Sequence, residues 1–353
     1  MWLRTLAKRQ FYLSGVRRTM ICNTLQPLDR VEIAKETARR ANVRADEVNA
    51  VYFTDNIEMN STLTRHLRHV LIASGIAALL AACSATRLLN TLVPESGFKV
   101  TQDIAFGASA RDKLDVYRPA DATSITAPKP VVVFFYGGAW DSGDKSGYLF
   151  VAEALTSRGY VVVIPDYRLY PEITFPAYMD DAALAVKWTF DNIAQHGGDP
   201  DKVFVMGHSA GAQLAALVAY DGTYLDRIGI DKRRIRGVVS LAGPLDFLPL
   251  TEAKMEFIFP LPVRAASQPI NFITGKEPPT LLLHGTADTR VGIHNSRNLA
   301  ARIAERGGTA EVTFYPDMGH VGILVALAAP LRNGKSVLDR VAKFIDEQVA
   351  AKR

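Results

Sequence analysis

The sequence predicts an α/β domain over residues 98–353, with a mostly parallel central sheet, helices on both faces and a small lid. Continuous apolar runs at 131–136 and 160–165 are typical of strands that are buried on both faces. Amphipathic stretches of helical length separate such runs, and strands that alternate with helices favour a parallel sheet. The stretch 244–279 is Pro-rich and irregular, and we expect it to cover the site as the lid.

Each element follows from the pattern in turn. The segments 98–106 and 114–117 predict two early antiparallel strands, ahead of the buried run at 131–136. Helices are expected at 146–158, which ends at Gly159, and at 178–195, which ends before a Gly-Gly-Asp-Pro turn. The remaining elements are expected, in order, as strand 203–206, the Ala-rich helix 209–220, strands 237–242 and 280–284, helix 294–306, strand 311–315 and the amphipathic helix 336–349.

The charge distribution does not support nucleic-acid binding by this domain, and we expect none. The net charge of the 353 residues is +5. Residues 1–58 hold 10 basic and 7 acidic side chains, residues 59–83 hold 2 basic ones, and residues 84–353 hold 29 of each. The domain therefore has no basic footprint for nucleic acid. Two cysteines offer no disulfide framework, and the composition excludes disordered, collagen-like and coiled-coil proteins.

Residues 59–83 have the pattern of a signal peptide of the lipoprotein type. Arg65 and Arg68 precede an apolar run at 70–82, which is shorter than the roughly 20 residues that a membrane-spanning helix needs. The run ends in Leu-Ala-Ala-Cys, which resembles the bacterial lipoprotein box, and this resemblance implies that Cys83 is lipidated. We therefore expect a lipid anchor in a bacterial cell envelope, on the outer membrane or its periplasmic side.

Such a signal belongs at an N-terminus, and here it begins at residue 59. We expect residues 1–58 to be an upstream extension and Met59 to be the true start. The alternative is a small helical segment at 1–58, in which case the apolar run is an internal signal anchor or a buried helix. Residues 84–97 are expected to be a linker.

A nucleophile is predicted at Ser209. Residues 207–211 read Gly-His-Ser-Ala-Gly, between a buried strand and an Ala-rich helix. This strand–turn–helix setting is what a G-x-S-x-G nucleophile elbow requires. The glycines allow a sharp turn, and the N-terminus of the helix directs its N–H groups at developing negative charge.

A serine nucleophile needs a base, and three histidines follow Ser209 along the chain. His320 is our candidate, since it follows the last predicted strand and a glycine precedes it. His284 ends a strand and His294 lies in a helix, so we expect both to be structural.

The base in turn needs an acid that orients it. The chain order serine, acid, histidine points to Asp288, which follows the strand at 280–284. Asp246, which follows the preceding strand, is the second candidate for this acid. Asp317 is too close in sequence to His320 to be preferred.

Backbone donors for an oxyanion are predicted in the loop at 136–140, which reads Tyr-Gly-Gly-Ala-Trp after a buried strand. Two glycines let the backbone approach the oxyanion closely. The N–H groups of Gly138, Ala139 and Ala210 are the expected oxyanion hole, with Gly137 as a possible substitute.

Five motifs together carry a family resemblance. They are Tyr-Gly-Gly-Ala-Trp at 136–140, Asp-Tyr-Arg-Leu at 166–169, Gly-His-Ser-Ala-Gly at 207–211, His-Gly-Thr-Ala-Asp at 284–288 and Gly-His at 319–320. In this order they resemble esterases of the α/β-hydrolase fold, namely the hormone-sensitive-lipase-like and feruloyl-esterase-like (BD-FAE-type) carboxylesterases. Prenylcysteine methylesterases and arylformamidases are similar as well.

The resemblance implies a Ser-Asp-His triad that hydrolyses small carboxylic esters without a metal or other cofactor. Two departures affect what is carried over. Tyr136 stands where many members have histidine, which leaves open how the oxyanion loop is braced. The short segment 84–97 cannot form the large N-terminal cap of some relatives, so a more open site is expected.

Two alternative functions stay open at the level of sequence. The first is an amidase, arylformamidase or peptidase on the same triad, since pocket shape decides which bond is cleaved. The second is a non-catalytic envelope lipoprotein that binds a ligand through a hydrolase fold. A P-loop-like run at 138–146 is set aside because Asp144 would repel a phosphate.

Overall fold

The structure, a computed structural model, describes residues 89–120, 127–332 and 337–351. The predicted extension at 1–58, the predicted signal at 59–83 with Cys83, and the first residues of the predicted linker lie outside these ranges. Within the described ranges no helix combines the length and apolar character needed to span a membrane.

An eight-stranded sheet forms the centre of the domain, in the strand order β1-β2-β4-β3-β5-β6-β7-β8. The first two strands pair antiparallel to each other and β2 pairs antiparallel to β4, whereas all later pairs are parallel. The prediction of a mostly parallel sheet with two early antiparallel strands is therefore confirmed. The strands are β1 (Phe98–Ala105), β2 (Lys113–Pro119), β3 (Lys129–Phe135), β4 (Val161–Pro165), β5 (Gly198–His208), β6 (Ile235–Leu241), β7 (Thr280–Gly285) and β8 (Ala310–Tyr315).

Helices connect the strands where the amphipathic stretches predicted them, with ends that differ by a few residues. The helices are α1 (Leu149–Thr156), α2 (Ala177–Asn192), α3 (Ala210–Tyr220), α4 (Thr223–Asp226), α5 (Ala253–Ile258), α6 (His294–Glu305), α7 (Gly322–Val325) and α8 (Val337–Ala350). The predicted helix at 178–195 ends in a separate 3₁₀ turn, Ile193–His196, because Gly197 adopts a left-handed conformation and stops it.

The core follows from the apolar runs. In β3 and β4 the valines pair directly, Val131 with Val161 and Val133 with Val163, and all of them are buried. Every residue of α3 is buried against β5 and β6. Its many alanines have short side chains, so the helix packs close to the sheet and its N-terminus is held firmly.

The parallel strands bring the motif residues together. Gly137 follows β3, Ser209 follows β5, Asp288 follows β7 and His320 follows β8. The carboxyl ends of parallel strands lie along one edge of a sheet, which is where open α/β sheets bind their ligands. Four distant stretches of sequence therefore meet at one edge.

The stretch 244–279 has more local structure than its sequence predicts. It contains α5 and two 3₁₀ segments, Leu261–Ser267 and Pro269–Phe272. Phe259 is buried and packs edge-on against Trp140 of the loop after β3, with ring centroids 4.8 Å apart. Its role as a lid over the nucleophile stays a prediction.

Candidate active site

Ser209 lies at the turn between β5 and α3 in a strained backbone conformation, with φ 53° and ψ −125°. A non-glycine residue at positive φ is uncommon and costs on the order of 1–3 kcal/mol. The neighbouring glycines make this turn possible. A Cβ on Gly207 would lie 2.2 Å from the carbonyl oxygen of Gly211, and one on Gly211 would lie 2.1 Å from that of Phe135.

The structure joins Ser209, His320 and Asp288 in one hydrogen-bonded chain. Ser209 Oγ lies 2.9 Å from His320 Nε2, and His320 Nδ1 lies 2.7 Å from Asp288 Oδ2. A carboxylate can only accept, so in the neutral ring Nδ1 carries the proton. Nε2 is then left to accept from the hydroxyl of Ser209.

Asp288 is buried and surrounded by donors. Its Oδ1 accepts from the backbone N–H groups of Arg290 and Val291, both at 2.9 Å, while His284 Nε2 lies 3.2 Å from Oδ2. Burial acts to raise the pKa of this carboxyl. Hydrogen bonds from His284 and His320, the charge of His320 and the N–H of Val291 outweigh it and hold the pKa of Asp288 well below its usual range. The carboxylate of Asp288 is therefore ionised at neutral pH.

Three of the other candidates, Asp246, Asp317 and His294, lie apart from this chain, whereas His284 contacts it at Asp288. Asp246 accepts from the side-chain amide of Asn298 at 2.7 Å and makes no hydrogen bond to His320 within the described residues. Asp317 is exposed on the loop before His320, and His294 is exposed at the first position of α6. The structure therefore brings together Ser209, His320 and the preferred acid Asp288, and not the second candidate acid, Asp246.

His208, inside the elbow motif, supports the loop of His320. Its Nε2 lies 3.0 Å from the carbonyl oxygen of His320, and it must donate there because a carbonyl only accepts. Burial and the neighbouring His320 lower the pKa of His208 to about 3, so its ring is neutral. This contact fits a loop-bracing residue rather than a second base.

The loop after β3 lies directly against the nucleophile. A Cβ on Gly137 would lie 3.0 Å from Ser209 Cβ, and Ala139 and Trp140 adopt φ values of 50° and 60°. The backbone N–H groups of the predicted oxyanion hole are those of Gly138, Ala139 and Ala210. Across the described ranges these three N–H groups have no hydrogen-bond acceptor, so they are available to donate to a bound oxyanion.

A buried network braces this loop at Tyr136. The Tyr136 hydroxyl donates to Asp166 Oδ1 at 2.7 Å and accepts from Arg111 Nη2 at 2.9 Å. Its ring stacks between Tyr148 and Tyr167, with centroid distances of 5.2 and 4.8 Å. Tyr136 is thus held by both hydrogen bonds and ring stacking.

Arg111 and Gln213 are two residues that sequence reasoning missed. Arg111 Nη2 also donates to the carbonyl oxygen of Gly143, at the far end of the loop. Gln213, fully buried in α3, accepts from Trp140 Nε1 at 2.9 Å and donates to the carbonyl oxygen of Ser267 at 2.8 Å. Gln213 therefore ties the oxyanion loop, the nucleophile helix and the stretch 244–279 together. An amide in an otherwise apolar helix was the one available signal.

In the part of the chain that the structure describes, no group of three or more His, Cys, Asp or Glu side chains could hold a metal ion. The site combines a hydroxyl hydrogen-bonded to an imidazole, an ionised carboxylate on the far side of that ring and nearby backbone N–H groups. These are the groups that acyl transfer through a serine requires.

Comparisons with known proteins agree on one family. The sequence matches the BD-FAE family over residues 114–303. It is 28% identical over 262 residues to the isoprenylcysteine alpha-carbonyl methylesterase of Arabidopsis thaliana, covering 68% of this chain and 60% of that protein. It is 29% identical over 263 residues to the esterase LipQ of Mycobacterium tuberculosis, covering 69% and 62%.

Solved structures show the same fold. An esterase from Pyrobaculum calidifontis matches with a TM-score of 0.63 and 24% identity, covering 78% of this chain and 94% of its own. A truncated carbohydrate esterase from gut microbiota matches with a TM-score of 0.63 and 20% identity, covering 73% and 99%. The predicted α/β-hydrolase fold is therefore confirmed. The matched region spans between 53% and 62% of the length of the first three curated relatives.

Proposed function

Since this chain belongs to the BD-FAE family, as the sequence resemblance predicted, we propose that it hydrolyses carboxylic esters through an acyl-enzyme on Ser209. The observation that carries the proposal is the hydrogen-bonded chain from Ser209 Oγ through His320 to Asp288. The relatives support the ester bond as the target, because they include a methylesterase and an esterase.

The geometry supports the following reaction. Ser209 Oγ attacks the ester carbonyl while His320 Nε2 takes its proton, and Asp288 holds the imidazole in the required tautomer. The oxyanion that forms is bound by the N–H groups of Gly138, Ala139 and Ala210. His320 then gives the proton to the leaving alcohol. Water next attacks the acyl-enzyme while His320 Nε2 takes its proton, and His320 returns this proton to Ser209 Oγ as the carboxylic acid is released.

A fluorophosphonate probe tests the nucleophile, and a substrate panel tests the bond. We expect the probe to label the wild-type chain and not Ser209→Ala, with thermal unfolding showing that the variant is folded. Matched p-nitrophenyl esters and p-nitroanilides of the same acyl groups separate ester from amide hydrolysis. Faster cleavage of the anilides would replace the esterase assignment with an amidase, and a chain that resists the probe would be a non-catalytic binding protein.

The cellular location is a separate proposal, supported only by the sequence of residues 59–83. We propose that Cys83 is lipidated and anchors the enzyme to a bacterial envelope membrane, with the outer membrane favoured. A Cys83→Ser variant should then leave the membrane fraction and keep its esterase activity, because the triad lies far downstream. Mass spectrometry that finds an unmodified Cys83 continuous with residues 1–58 would reject both the anchor and the proposed start.

A further inference from the structure

His284 is a fully buried imidazole that contacts the triad aspartate and has no step in the reaction above. It lies in β7, and its Nε2 is 3.2 Å from Asp288 Oδ2 and 2.8 Å from the carbonyl oxygen of Val291. On the other side of the ring, Nδ1 lies 2.8 Å from Ser296 Oγ of α6. Neither His284 nor Ser296 has exposed surface.

These partners fix where the proton of His284 lies. The carbonyl oxygen of Val291 can only accept, so Nε2 carries the hydrogen. In a neutral ring Nδ1 is then an acceptor, and the hydroxyl of Ser296 donates to it. One N–H is therefore shared between Val291 and the same oxygen, Asp288 Oδ2, that His320 uses.

We propose that His284 and Ser296 are positioning residues that extend the hydrogen-bonded chain behind Asp288. The proposal rests on the proposed function of Ser209, His320 and Asp288. The N–H of His284 competes with His320 for the charge on Oδ2, which limits how strongly the carboxylate stabilises a protonated His320. The hydroxyl of Ser296 polarises the His284 ring and makes its N–H a stronger donor, as expected for a chain of hydrogen bonds at low dielectric.

The ionisable surroundings of His284 are few. Asp288 contacts it directly, and His320 lies on the other side of that carboxylate. His208, at the end of β5, is close enough for His284 to act on it electrostatically, and burial keeps His208 neutral. The helix packed against the ring, α6, faces it with the uncharged Ser296. A change at His284 should therefore be read out at His320.

The test is the pH dependence of kcat/KM, whose acidic limb reports the pKa of His320 in the free enzyme. Removing the donor with His284→Leu should move this limb to higher pH, because more of the Asp288 charge then favours protonated His320. The expected shift is about half to one pH unit, the equivalent of one ordinary hydrogen bond. Ser296→Ala should shift the limb the same way by less, and His284→Gln, which keeps an N–H donor, should restore most of it.

His294→Gln is the matched control, since this histidine is exposed and its side-chain hydrogen bond among the described residues is to its neighbour Asn295. It should leave the pH profile unchanged. If His284 had a purely structural role, its replacement would lower the melting temperature and the number of titratable active sites. The acidic limb of kcat/KM, normalised to the active sites, would then stay where it is in the wild type, and this result would overturn the proposal. If His284→Leu does not fold, Ser296→Ala decides the question by the same criterion.

A measurement without turnover separates this proposal from the proposed function. Imidazole ¹⁵N NMR of the resting protein should show His284 as the neutral Nε2–H tautomer, and the pKa of His320 should rise in Ser296→Ala. A protonated His284, or an unmoved His320, would overturn the inference even in an active esterase. The expected spectra from a protein that hydrolyses no ester would instead count against the proposed function alone.

Discussion

Replacing Asp288 with asparagine should abolish nearly all of the proposed esterase activity, because all four hydrogen-bonding partners of Asp288 are donors. Both oxygens of Asp288 accept from donors: Oδ1 from the N–H groups of Arg290 and Val291, and Oδ2 from His320 and His284. An asparagine has one oxygen and one NH₂ group. Whichever way the amide turns, its NH₂ faces two donors.

The oxygen of the asparagine amide should face the two backbone N–H groups, since a backbone N–H can only donate whereas an imidazole nitrogen can become an acceptor. The NH₂ group then faces His320 Nδ1 and forces that nitrogen to accept. The proton moves to Nε2, and His320 can no longer take a proton from Ser209. In the type case of a serine protease this wrong tautomer lowers kcat about 10⁴-fold, or about 5 kcal/mol in activation free energy.

Asp246→Asn is the control, because Asp246 is the other acid that follows a neighbouring strand. Its carboxylate accepts from the exposed amide of Asn298 and not from His320, so less than a twofold change is expected. The assay is kcat and KM for a p-nitrophenyl ester, corrected for the folded fraction by circular dichroism. The reasoning fails if folded Asp288→Asn keeps more than a tenth of wild-type kcat, or if Asp246→Asn loses more.

The same variant carries a pH prediction for stability. The pKa of Asp288 is lower in the folded protein than in the unfolded chain, so its ionised form stabilises the fold. This contribution is fully present above the unfolded pKa of about 3.9 and is lost as the pH falls through the folded value. The stability difference between wild type and Asp288→Asn should therefore shrink as the pH falls below about 4. Urea unfolding across this range measures it, and a difference that grows on acidification would contradict the assignment.

The further predictions concern variants at three residues, in the elbow and near the loop after β3. Ser209→Ala should lower kcat on the order of 10⁶-fold. In urea unfolding, Ser209→Gly should have a free energy of unfolding about 1 kcal/mol higher than that of Ser209→Ala, because glycine relieves the strain of the positive φ. Tyr136→Phe keeps the ring stacking and loses the hydrogen bond to Asp166. Calorimetry should show a free energy of unfolding that is lower by about 2 kcal/mol, and kinetics should show a fall in kcat at unchanged KM. Gln213→Leu leaves the buried N–H of Trp140 unpaired and should destabilise the protein by about 1–3 kcal/mol in urea unfolding, whereas an unchanged midpoint would show that this tie is dispensable.

The parts of the site that the sequence predicted are those with local signals. The elbow at Ser209 needs a strand, two glycines and a helix within a few residues, and all of these are visible in sequence. Asp288 and His320 follow strands of one parallel sheet, so chain order and topology place them at the same edge. Strand β5 begins at Gly198, earlier than predicted, since its first residue pairs with Lys129 and no periodicity marks such a partner.

What the sequence did not predict depends on contacts between distant residues. Arg111 reaches Tyr136 across 25 positions, and Gln213 reaches Ser267 across 54. No spacing rule connects such residues, because their meeting depends on where loops cross after the sheet has formed. His284 shows the same limit, since its strand-end position suggested a structural role and only the folded loop sets its Nε2 beside Asp288.

Several of these contacts between distant residues are made at the two ends of the loop after β3, whose backbone is strained. Ala139 and Trp140 both adopt positive φ, a conformation that costs on the order of 1–3 kcal/mol for each non-glycine residue and persists only when the surroundings hold it. Tyr136 fixes the start of this loop through Arg111 and Asp166, and Gln213 fixes its far side through Trp140. These contacts at both ends therefore hold the strained backbone of the loop after β3 in place.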